Sequence, residues 1–486
     1  MSHLYVACEL GPEKGRIVLG ALQKEGLTVS EADVFQDVLT VQDGVAQWDV
    51  TRIYQHILAG ARGIVAQEEP VRGISFHSSV TDSFLFDNNG TLIGPAARPL
   101  GRAGTAVLNK ILADIPLAEF YDETGTQPNP TSPLCQLANE PSRRLKKAAH
   151  ALNLADAFNH LFSGVPRTEF SQASQTQFYN PVRKEWSQRL LKAAALPDKV
   201  LPPLAQSGTV LGQTRTDIAR NTGLEDARVI TTCSHELAAA MAALSIADDQ
   251  NWAFLWPGHD TLLGTVLGFP FINDFSREMQ YSNLAGYCDS VIFYKPWAGL
   301  RLVEECRRSW CQQDRALDNE VLMHLATSAT PFESLIDPGD PRFSTPGDMP
   351  QAIQAFCRLT GQEPPRKPGP ILRCVLESLA LQYRKALLEL EYITSTTFSR
   401  LYVLGGQSNH LLNHFLANAL QLPVVVVPTE VAALGNVALQ ALALGHIPSI
   451  QEARPFLRSA LRGQNINPHA TAWTEAYDRF LEIKPV

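Results

Sequence analysis

The sequence predicts an α/β protein made of two domains, and three observations support this prediction. The chain has 486 residues, which is more than a single hydrophobic core usually organises. Its opening segment contains apolar strands followed by an amphipathic helix, and its last third alternates helices with strands. A hydrophobic fraction of 45% and a charged fraction of 19% are typical of a globular chain.

The opening segment predicts a β-meander, a helix and a return strand. Apolar, β-branched runs flank a turn at Gly11-Pro12-Glu13-Lys14-Gly15, and the helix has its apolar residues on one face. A hairpin follows, with its turn at Asn88-Asn89-Gly90. The predicted elements are strands at 4–9, 16–22 and 27–35, a helix at 51–67, a strand at 74–76 and a hairpin at 82–93. This order is compatible with the start of an actin-like, ribonuclease-H-like domain.

The rest of the chain divides into a helical middle and an alternating last third. Residues 108–216 predict mostly helices with turns at prolines, and the Pro- and Gly-rich stretch 331–370 predicts a long surface connection. The further predicted elements are strands at 229–232, 252–256, 400–404 and 424–427, and helices from Glu236 and at 371–392, 409–421 and 431–444. We expect two domains, 1–245 and 246–486.

Charge and composition argue against several classes of protein. A net charge of -8 argues against a nucleic-acid binder, because phosphate contacts need clustered Lys and Arg. The N-terminus has no basic segment and reaches Glu9 early, so we expect no signal peptide, and no apolar run approaches the roughly 18 residues of a membrane span. The 8 cysteines form no CxxC pair, which predicts reduced core thiols in a cytoplasmic protein without membrane association.

Several motifs occur in the order in which a known family has them. They are Asp337-Pro338-Gly339-Asp340-Pro341-Arg342-Phe343, Thr360-Gly361-Gln362, Glu377-Ser378-Leu379-Ala380-Leu381-Gln382-Tyr383-Arg384, Gly405-Gly406-Gln407-Ser408-Asn409 and Ala433-Leu434-Gly435-Asn436. Through them the chain resembles the FGGY carbohydrate-kinase family, and within it the rhamnulokinases, along nearly its whole length. The resemblance implies two ribonuclease-H-like domains flanking a central cleft, and transfer of the ATP γ-phosphoryl group to a ketose hydroxyl with Mg²⁺. Its partners would be a small sugar and a nucleotide, and the protein would be a monomer or a homodimer.

The resemblance implies a catalytic role for Glu236 and a metal-binding role for Glu9. The family has His-Asp-Thr, with Asp as the base, where this chain has His235-Glu236-Leu237. Glu keeps the carboxylate but moves it by roughly 1.5 Å, so Glu236 is either a displaced base or a residue that stabilises a helix dipole. Glu9 replaces the family's Asp in the first phosphate loop, where it either holds a Mg²⁺-bound water or faces solvent at a strand end.

The first phosphate loop keeps the family's glycines but differs between them. Gly11 and Gly15 match the family, and the resemblance assigns both to the nucleotide site together with Lys14. Pro12 removes a backbone N–H from the loop. Glu13 would repel phosphate, whereas Lys14 would attract it.

The other implied nucleotide contacts lie in the second half of the chain. The family's Thr after a loop glycine is His259 here, Asp260 adds a negative charge, and the third glycine of the adenine loop is Gln407. A side chain at that third position would crowd the base. The nucleotide-binding residues implied in this half are Gly258, His259, Glu304, Gly405, Gly406 and Gln407.

The implied sugar contacts are Asp82, Val80, His235 and Pro296. Asp82 matches a family carboxylate, with hairpin capping as the alternative, and His235 matches a family sugar contact, with a structural histidine as the alternative. Ser79-Val80 replaces a family Trp-Gly and His77 replaces an upstream Asp, so we expect a pocket that is wider or differently shaped. Pro296 stands where the family has Asn.

Three hypotheses follow from this combination of retained scaffold motifs and altered site residues. The first is an active ATP-dependent sugar kinase, because both key carboxylates and Lys14 remain. The second is a catalytically impaired sugar-binding or regulatory pseudokinase, which is favoured by Pro12, Glu13, Asp260, Pro296 and Gln407. The third is a kinase that uses another phosphoryl donor. Binding of Mg²⁺·ATP separates the first hypothesis from the second.

Overall fold

The computed structural model describes residues 2–36, 38–42, 45–65, 70–96, 102–197, 199–258, 260–313, 317–345, 347–405, 409–469 and 472–483. The chain forms two compact units. The first comprises Met1–Asp249, Val266–Phe293 and Glu430–Leu461, and the second comprises Gln250–Thr265, Tyr294–Thr429 and Arg462–Val486. These units differ from the predicted family domains 1–245 and 246–486, because Glu430–Leu461 belongs to the first unit. The two family domains stay a prediction.

The described part of the chain alternates strands and helices throughout. The strands are β1 (His3–Leu10), β2 (Gly15–Gln23), β3 (Gly26–Phe35), β4 (Leu39–Gln42), β5 (Val45–Trp48), β6 (Val71–Ser78), β7 (Ser83–Phe86), β8 (Leu92–Pro95), β9 (His150–Asn153), β10 (Thr168–Glu169), β11 (Tyr179–Asn180), β12 (Glu185–Trp186), β13 (Leu204–Ala205), β14 (Thr209–Gln213), β15 (Arg228–Thr231), β16 (Ala253–Trp256), β17 (Asp260–Leu267), β18 (Ser282–Ala285), β19 (Val291–Ala298), β20 (Leu401–Leu404), β21 (Val424–Val427) and β22 (Gln464–Ile466). The α-helices are α1 (Val50–Val65), α2 (Arg102–Asp114), α3 (Leu117–Thr124), α4 (Pro133–Ala138), α5 (Ser142–Leu145), α6 (Leu154–Ser163), α7 (Phe170–Gln175), α8 (Gln188–Ala193), α9 (Thr216–Thr222), α10 (Glu236–Ala247), α11 (Asp274–Glu278), α12 (Arg301–Gln313), α13 (Asn319–Ser328), α14 (Met349–Leu359), α15 (Pro368–Thr394), α16 (His410–Leu420), α17 (Val431–Ala443), α18 (Ile450–Ala460) and α19 (Trp473–Glu482). The predicted α/β class is confirmed.

The first unit contains a six-stranded sheet with the order β14-β15-β6-β1-β2-β3. Strands β15, β6 and β1 run parallel, whereas β1, β2 and β3 form the predicted antiparallel meander. The meander requires glycine at its first turn, because a Cβ on Gly15 would lie 2.1 Å from the ring of Phe35. The carboxyl ends of the three parallel strands therefore meet at one edge of the sheet.

Helices pack on both faces of this sheet. Successive side chains of a strand point to opposite faces, and β2 shows this clearly: Ile17 contacts Gly60 of α1, whereas Gly20 lies against Val437 of α17. Helix α17 also packs tightly against α10, since a Cβ on Gly435 would lie 1.9 Å from a carbonyl oxygen of α10. The late helix α17 thus belongs to the core of the first unit.

In the second unit, β16, β20 and β21 run parallel, with β17 antiparallel to β16 and β22 antiparallel to β21. The 27-residue helix α15 packs with α13, α16 and α19. Gly258 follows the end of β16 and Gly405 follows the end of β20. Ligands bind outside the carboxyl ends of parallel strands in open α/β sheets, so both glycines stand where such a sheet receives a ligand.

The predicted surface connection over 331–370 is wrong. This stretch contains α14 and a 3₁₀ helix at Pro341–Phe343, and its buried side chains include Leu335, Ile336, Phe343, Ile353 and Phe356. Three of its prolines, Pro341, Pro350 and Pro368, lie in the first turns of helices, where no intrahelical N–H is needed. At the start of α14, Asp348 is the cap and accepts from the N–H of Gln351 (3.1 Å). The region 108–216 combines the predicted helices with several short strands.

Two further observations concern the described residues as a whole. None of their helices is both long enough and apolar enough to cross a membrane. Seven cysteines with described side chains are free, and all of them are buried except Cys288, which is exposed and so departs from the predicted core thiols.

Candidate active site

Hydrogen bonds of Ser78, at the end of β6, join that strand to the end of β1 and to the turn that follows β15. The Ser78 hydroxyl donates to the Leu10 carbonyl oxygen (2.6 Å), and the Ser78 N–H donates to the Ser234 carbonyl oxygen (2.9 Å). Ser78 also forms an isolated parallel bridge with His235. These bonds bring the first phosphate loop, the end of β6 and the turn before α10 into one place.

A cavity of about 280 Å³ opens at this sheet edge. It joins the predicted base with the first phosphate loop, although residue 236 is far from residue 9 in sequence. Its lining residues are Glu9, Leu10, Gly11, Pro12, Glu13, Lys14, Arg16, His77, Ser78, Ser79 and Glu236. The predicted residues Glu9, Gly11, Lys14 and Glu236 are therefore together, and Gly15 begins the adjoining strand β2.

Glu9 is a partly buried carboxylate with two cationic or polar neighbours. It lies opposite Arg16 on β2 and His77 on β6. Arg16 Nη1 is 2.9 Å from Glu9 Oε2, and His77 Nε2 is 3.3 Å from Glu9 Oε1. Burial alone would raise the pKa of Glu9, but the hydrogen bond from His77 and the charges of Arg16 and Lys14 outweigh it and lower that pKa. Glu9 is consequently ionised at neutral pH.

The tautomer of His77 follows from its neighbours on α17. Gln440 Nε2 donates to Asn436 Oδ1 (2.8 Å), which fixes the amide of Asn436. Asn436 Nδ2 then faces both Ser75 Oγ (3.3 Å) and His77 Nδ1 (3.0 Å). Because an amide nitrogen only donates, His77 Nδ1 accepts, and its proton lies on Nε2 and points to Glu9.

Glu236 is the first residue of α10 and faces the cavity. Burial has the largest effect on the pKa of Glu236 and raises it, and the charge of Glu9 raises it further. His77, a hydrogen bond from Ser79 and the charge of Arg16 lower it. The net pKa is raised. A carboxylate whose pKa is raised toward neutrality is a stronger proton acceptor, and this is the property that a general base requires.

The predicted sugar-binding residues have different surroundings. Asp82 is buried, and it accepts hydrogen bonds from Trp48 Nε1 and Gln136 Nε2, both at 2.8 Å. Val80 is held through its backbone, with its N–H donating to Ser78 Oγ (2.9 Å). Pro296 lies exposed in β19, in the second unit.

His235 is the N-cap residue of α10, and its Nδ1 accepts from the N–H of Leu237 (3.3 Å). Burial lowers the pKa of His235 to about 4. His235 is therefore neutral at pH 7 with its proton on Nε2. A neutral imidazole with a fixed Nε2–H can donate a hydrogen bond to a sugar oxygen without adding charge to the site.

The predicted nucleotide-binding residues outside the first loop lie in the second unit or outside the described residues. The Gly258 carbonyl oxygen accepts from the N–H of Leu300 (3.0 Å). Gly405 has φ +61°, in the left-handed region that favours glycine. Glu304 is exposed on α12. His259, Gly406 and Gln407 lie outside the described residues.

The sequence-based prediction missed Arg16, Ser79 and Asn436. The signal for Arg16 was available, because a tight turn at 11–14 makes residue 16 the antiparallel partner of residue 9. Ser79 was noted only as a replacement for a bulky residue. Asn436 stood in a recognised motif, but no pattern in the sequence connects position 436 with position 77.

Two carboxylates are buried directly behind the turn that precedes Glu236. Asp156 Oδ1 accepts from Ser234 Oγ (2.8 Å), and Asp156 Oδ2 accepts from the N–H of Glu169 (3.0 Å). Burial raises the pKa of Asp156 to about 8, and the charge of Glu169 contributes to the increase. Burial also raises the pKa of Glu169, although hydrogen bonds from Ser171 and Ser207 oppose it.

This pair predicts a specific dependence of stability on pH. The native pKa of Asp156, about 8, lies above the ordinary aspartate value of 3.8, so between these values the native state binds more protons than the unfolded state. The free energy of unfolding should therefore fall as pH rises from about 5 to 8. Asp156→Asn, whose amide can donate to Ser234 Oγ, should flatten this fall in urea titrations. If the free energy of unfolding of Asp156→Asn falls with pH as steeply as that of the original protein, the raised pKa of Asp156 is not the cause of the fall.

Comparisons with known proteins show which family the chain belongs to. Residues 4–243 match the N-terminal domain of the FGGY family of carbohydrate kinases, and residues 290–444 match its C-terminal domain. The chain is 31% identical over 485 residues to a rhamnulokinase of Bacteroides thetaiotaomicron, with 99% of each chain covered. It is 30% identical to a rhamnulokinase of Enterococcus faecalis, covering 98% of this chain and 97% of the relative.

Solved structures with the same fold are more distant in sequence. A ligand-bound xylulose kinase of Lactobacillus acidophilus matches with a TM-score of 0.77 and 16% identity, covering 99% of this chain and 97% of the other. A glycerol kinase of Plasmodium falciparum with ADP also gives a TM-score of 0.77, with 14% identity and coverage of 99% and 98%. The predicted two-domain actin-like, ribonuclease-H-like fold is thereby confirmed.

Proposed function

Because this chain belongs to the FGGY family of carbohydrate kinases, we propose that it is an active kinase that transfers the γ-phosphoryl group of ATP to a ketose hydroxyl. The similarity to rhamnulokinases makes L-rhamnulose the first acceptor to test. One observation supports activity most strongly: Glu236, a carboxylate with a raised pKa, faces the cavity that the first phosphate loop lines.

In this proposal Glu236 is the general base. Its carboxylate accepts the proton of the attacking sugar hydroxyl, which becomes a better nucleophile as it approaches the phosphorus atom. The neutral His235 donates from Nε2 to a sugar oxygen and orients the acceptor. Asp82 and Val80 shape the sugar side of the site, and Pro296 remains the predicted contact in the second unit.

The cations of the first loop balance the charge of the phosphates. Lys14 is exposed at the cavity, whereas Arg16 is paired with Glu9 and Glu31. Gly11 lines the cavity, and both Gly11 and Gly15 remain predicted nucleotide-binding residues of this loop. Gly258, His259, Glu304, Gly405, Gly406 and Gln407 remain the predicted nucleotide-binding residues of the second half of the chain.

The residues of the cavity are compatible with Mg²⁺ bound through water. Glu9 uses one oxygen for Arg16 and the other for His77, and each carboxylate oxygen has two acceptor positions. Glu9 is therefore the residue that would hold a Mg²⁺-bound water without losing its partners. When bound, Mg²⁺ neutralises charge on the phosphate oxygens.

Calorimetric titration with Mg²⁺·ATP tests the proposal most directly. We expect a micromolar to low-millimolar Kd that weakens without Mg²⁺. A thermal shift should accompany binding, since ligand at 100 times Kd stabilises the native state by about 2.7 kcal/mol. A panel of ketoses headed by L-rhamnulose then identifies the acceptor through coupled detection of ADP.

The other hypotheses correspond to other outcomes of the same experiment. Binding of sugars without any binding of Mg²⁺·ATP would contradict the proposal and favour a pseudokinase. Phosphorylation of a sugar by a different nucleotide or by a polyphosphate, but not by ATP, would contradict the identity of the donor alone.

A further inference from the structure

The turn that carries His235 and Glu236 is fixed by a short segment outside the cavity, residues 169–172. The N–H of Ser234 donates to Glu169 Oε2 (2.9 Å), and the N–H of His235 donates to Ser171 Oγ (2.9 Å). Ser171 Oγ in turn donates to the same oxygen of Glu169 in a short hydrogen bond. Both main-chain donors of the turn therefore depend on one carboxylate oxygen, directly or through one hydroxyl.

The carbonyl oxygens of the same turn are also fully engaged. The Ser234 carbonyl oxygen accepts from the N–H of Ser78 (2.9 Å) and from Gln172 Nε2 (3.1 Å). The His235 carbonyl oxygen accepts from the N–H of Ala239 (3.0 Å), as the start of α10 requires. Every main-chain polar group of Ser234 and His235 is thus assigned to a partner, and this is the condition for a rigid buried turn.

Glu169 is a glutamate at a fully buried position, where carboxylates are uncommon. It is fully buried, and taking a carboxylate out of water is unfavourable unless several donors surround it. Its second oxygen, Oε1, accepts from Ser207 Oγ (2.5 Å), so the carboxylate has donors at both oxygens. A neutral amide accepts at one atom only. Charge-assisted bonds are stronger than neutral ones, and here they are directed at the backbone two residues before the proposed base.

We infer that Glu169 is a positioning residue for phosphoryl transfer: its carboxylate fixes the backbone of Ser234 and His235 so that Glu236 points at the acceptor hydroxyl. This inference rests on the proposed function of Glu236 as base. Gln172 contributes to the same arrangement, because its Nε2 also faces the carbonyl oxygen of Val80 on the sugar side (3.3 Å).

The chain offers a matched pair of variants that separates positioning from general stability. Glu169→Leu removes both carboxylate oxygens, and with them every hydrogen bond that residue 169 accepts from the turn. Ser207→Ala removes a bond to the same carboxylate at the oxygen that does not contact the turn. Ser171→Ala removes the acceptor of the His235 N–H, and Ser171→Thr restores a hydroxyl at that place.

Steady-state kinetics and amide exchange are the two measurements. We expect Glu169→Leu to lower kcat by about 100-fold, as a displacement of about 1 Å of a catalytic group does, while the KM for ATP changes by less than about twofold. Ser171→Ala should lower kcat in the same way and Ser171→Thr should recover most of it. Ser207→Ala should leave kcat within about threefold. Hydrogen exchange measured by mass spectrometry should quicken at the amides of Ser234 and His235 in Glu169→Leu and Ser171→Ala.

Two results would overturn the inference. The first is a kcat for folded Glu169→Leu within threefold of the original protein, and the second is an equal loss in Ser207→Ala. If Glu169→Leu does not fold, the pair Ser171→Ala and Ser171→Thr decides the question. If the original protein transfers no phosphoryl group to any ketose, the proposed function fails by itself, and unchanged exchange at the two amides would separately refute the role of Glu169.

Discussion

Glu236→Gln is expected to lower kcat by between about 100-fold and 10,000-fold, which is the usual contribution of a general base. The amide has almost the same shape as the carboxylate but cannot accept the proton of the sugar hydroxyl. Removing a buried carboxylate whose pKa is raised should leave folding intact or improve it slightly at neutral pH, because ionising this group in the native state is unfavourable. Coupled detection of ADP gives kcat, and calorimetry with the sugar shows whether the acceptor still binds.

Glu236→Asp is the matched control for this loss. It keeps the carboxylate and withdraws it by roughly 1.5 Å, to the side-chain length that the family uses. Activity at least tenfold above that of Glu236→Gln shows that the charge matters, and activity above the original protein shows that Glu236 is a displaced base. Equal activity of Glu236→Gln and the original protein would refute its role and leave Glu236 as a residue that stabilises the dipole of α10.

The sequence was most informative where local pattern determines structure. The meander β1–β3, helix α1 and the start of α10 at Glu236 were predicted because apolar periodicity and turn residues act over a few positions. The carboxylates of the site were found through family motifs, not through periodicity.

The sequence was least informative where distant segments meet. Asn436 donates a hydrogen bond to His77, although the two residues are 359 positions apart in the sequence. Helix α17 belongs to the first unit, although Tyr294–Thr429, which precedes it, belongs to the second. Proline content also misled the prediction for 331–370, since Pro350 and Pro341 lie in the first turns of helices. A proline is compatible with the first turn of a helix but disrupts a helix interior, and the number of prolines in a segment does not show which of these positions they occupy.

Arg16→Ala is expected to be the most destabilising single change at the cavity. Arg16 Nη1 lies 2.9 Å from Glu9 and Arg16 Nε lies 2.9 Å from Glu31, with Arg16 and Glu9 only 15% and 12% exposed. Removing one partner of a buried ion pair costs about 3–5 kcal/mol because a charge is left uncompensated. Since both side chains retain some contact with solvent, we expect about 2–3 kcal/mol. Urea unfolding at pH 7 measures it, and Lys14→Ala, which removes an exposed cation of the same loop, should change stability by less than about 0.5 kcal/mol.

Two further measurements, one at lower pH and one on a double variant, show whether the stability lost in Arg16→Ala comes from the charge on Glu9. The native pKa of Glu9 is lowered, so its ion pair contributes stability above the ordinary glutamate pKa and loses it as pH falls through the native value. The difference between the original protein and Arg16→Ala should therefore shrink on acidification. Glu9→Gln in the Arg16→Ala background should recover part of the lost stability, because it removes the uncompensated charge and leaves an amide oxygen for His77. If the stability losses of Arg16→Ala and Glu9→Gln are strictly additive, Arg16 stabilises the protein through Glu31 or through packing and not through Glu9.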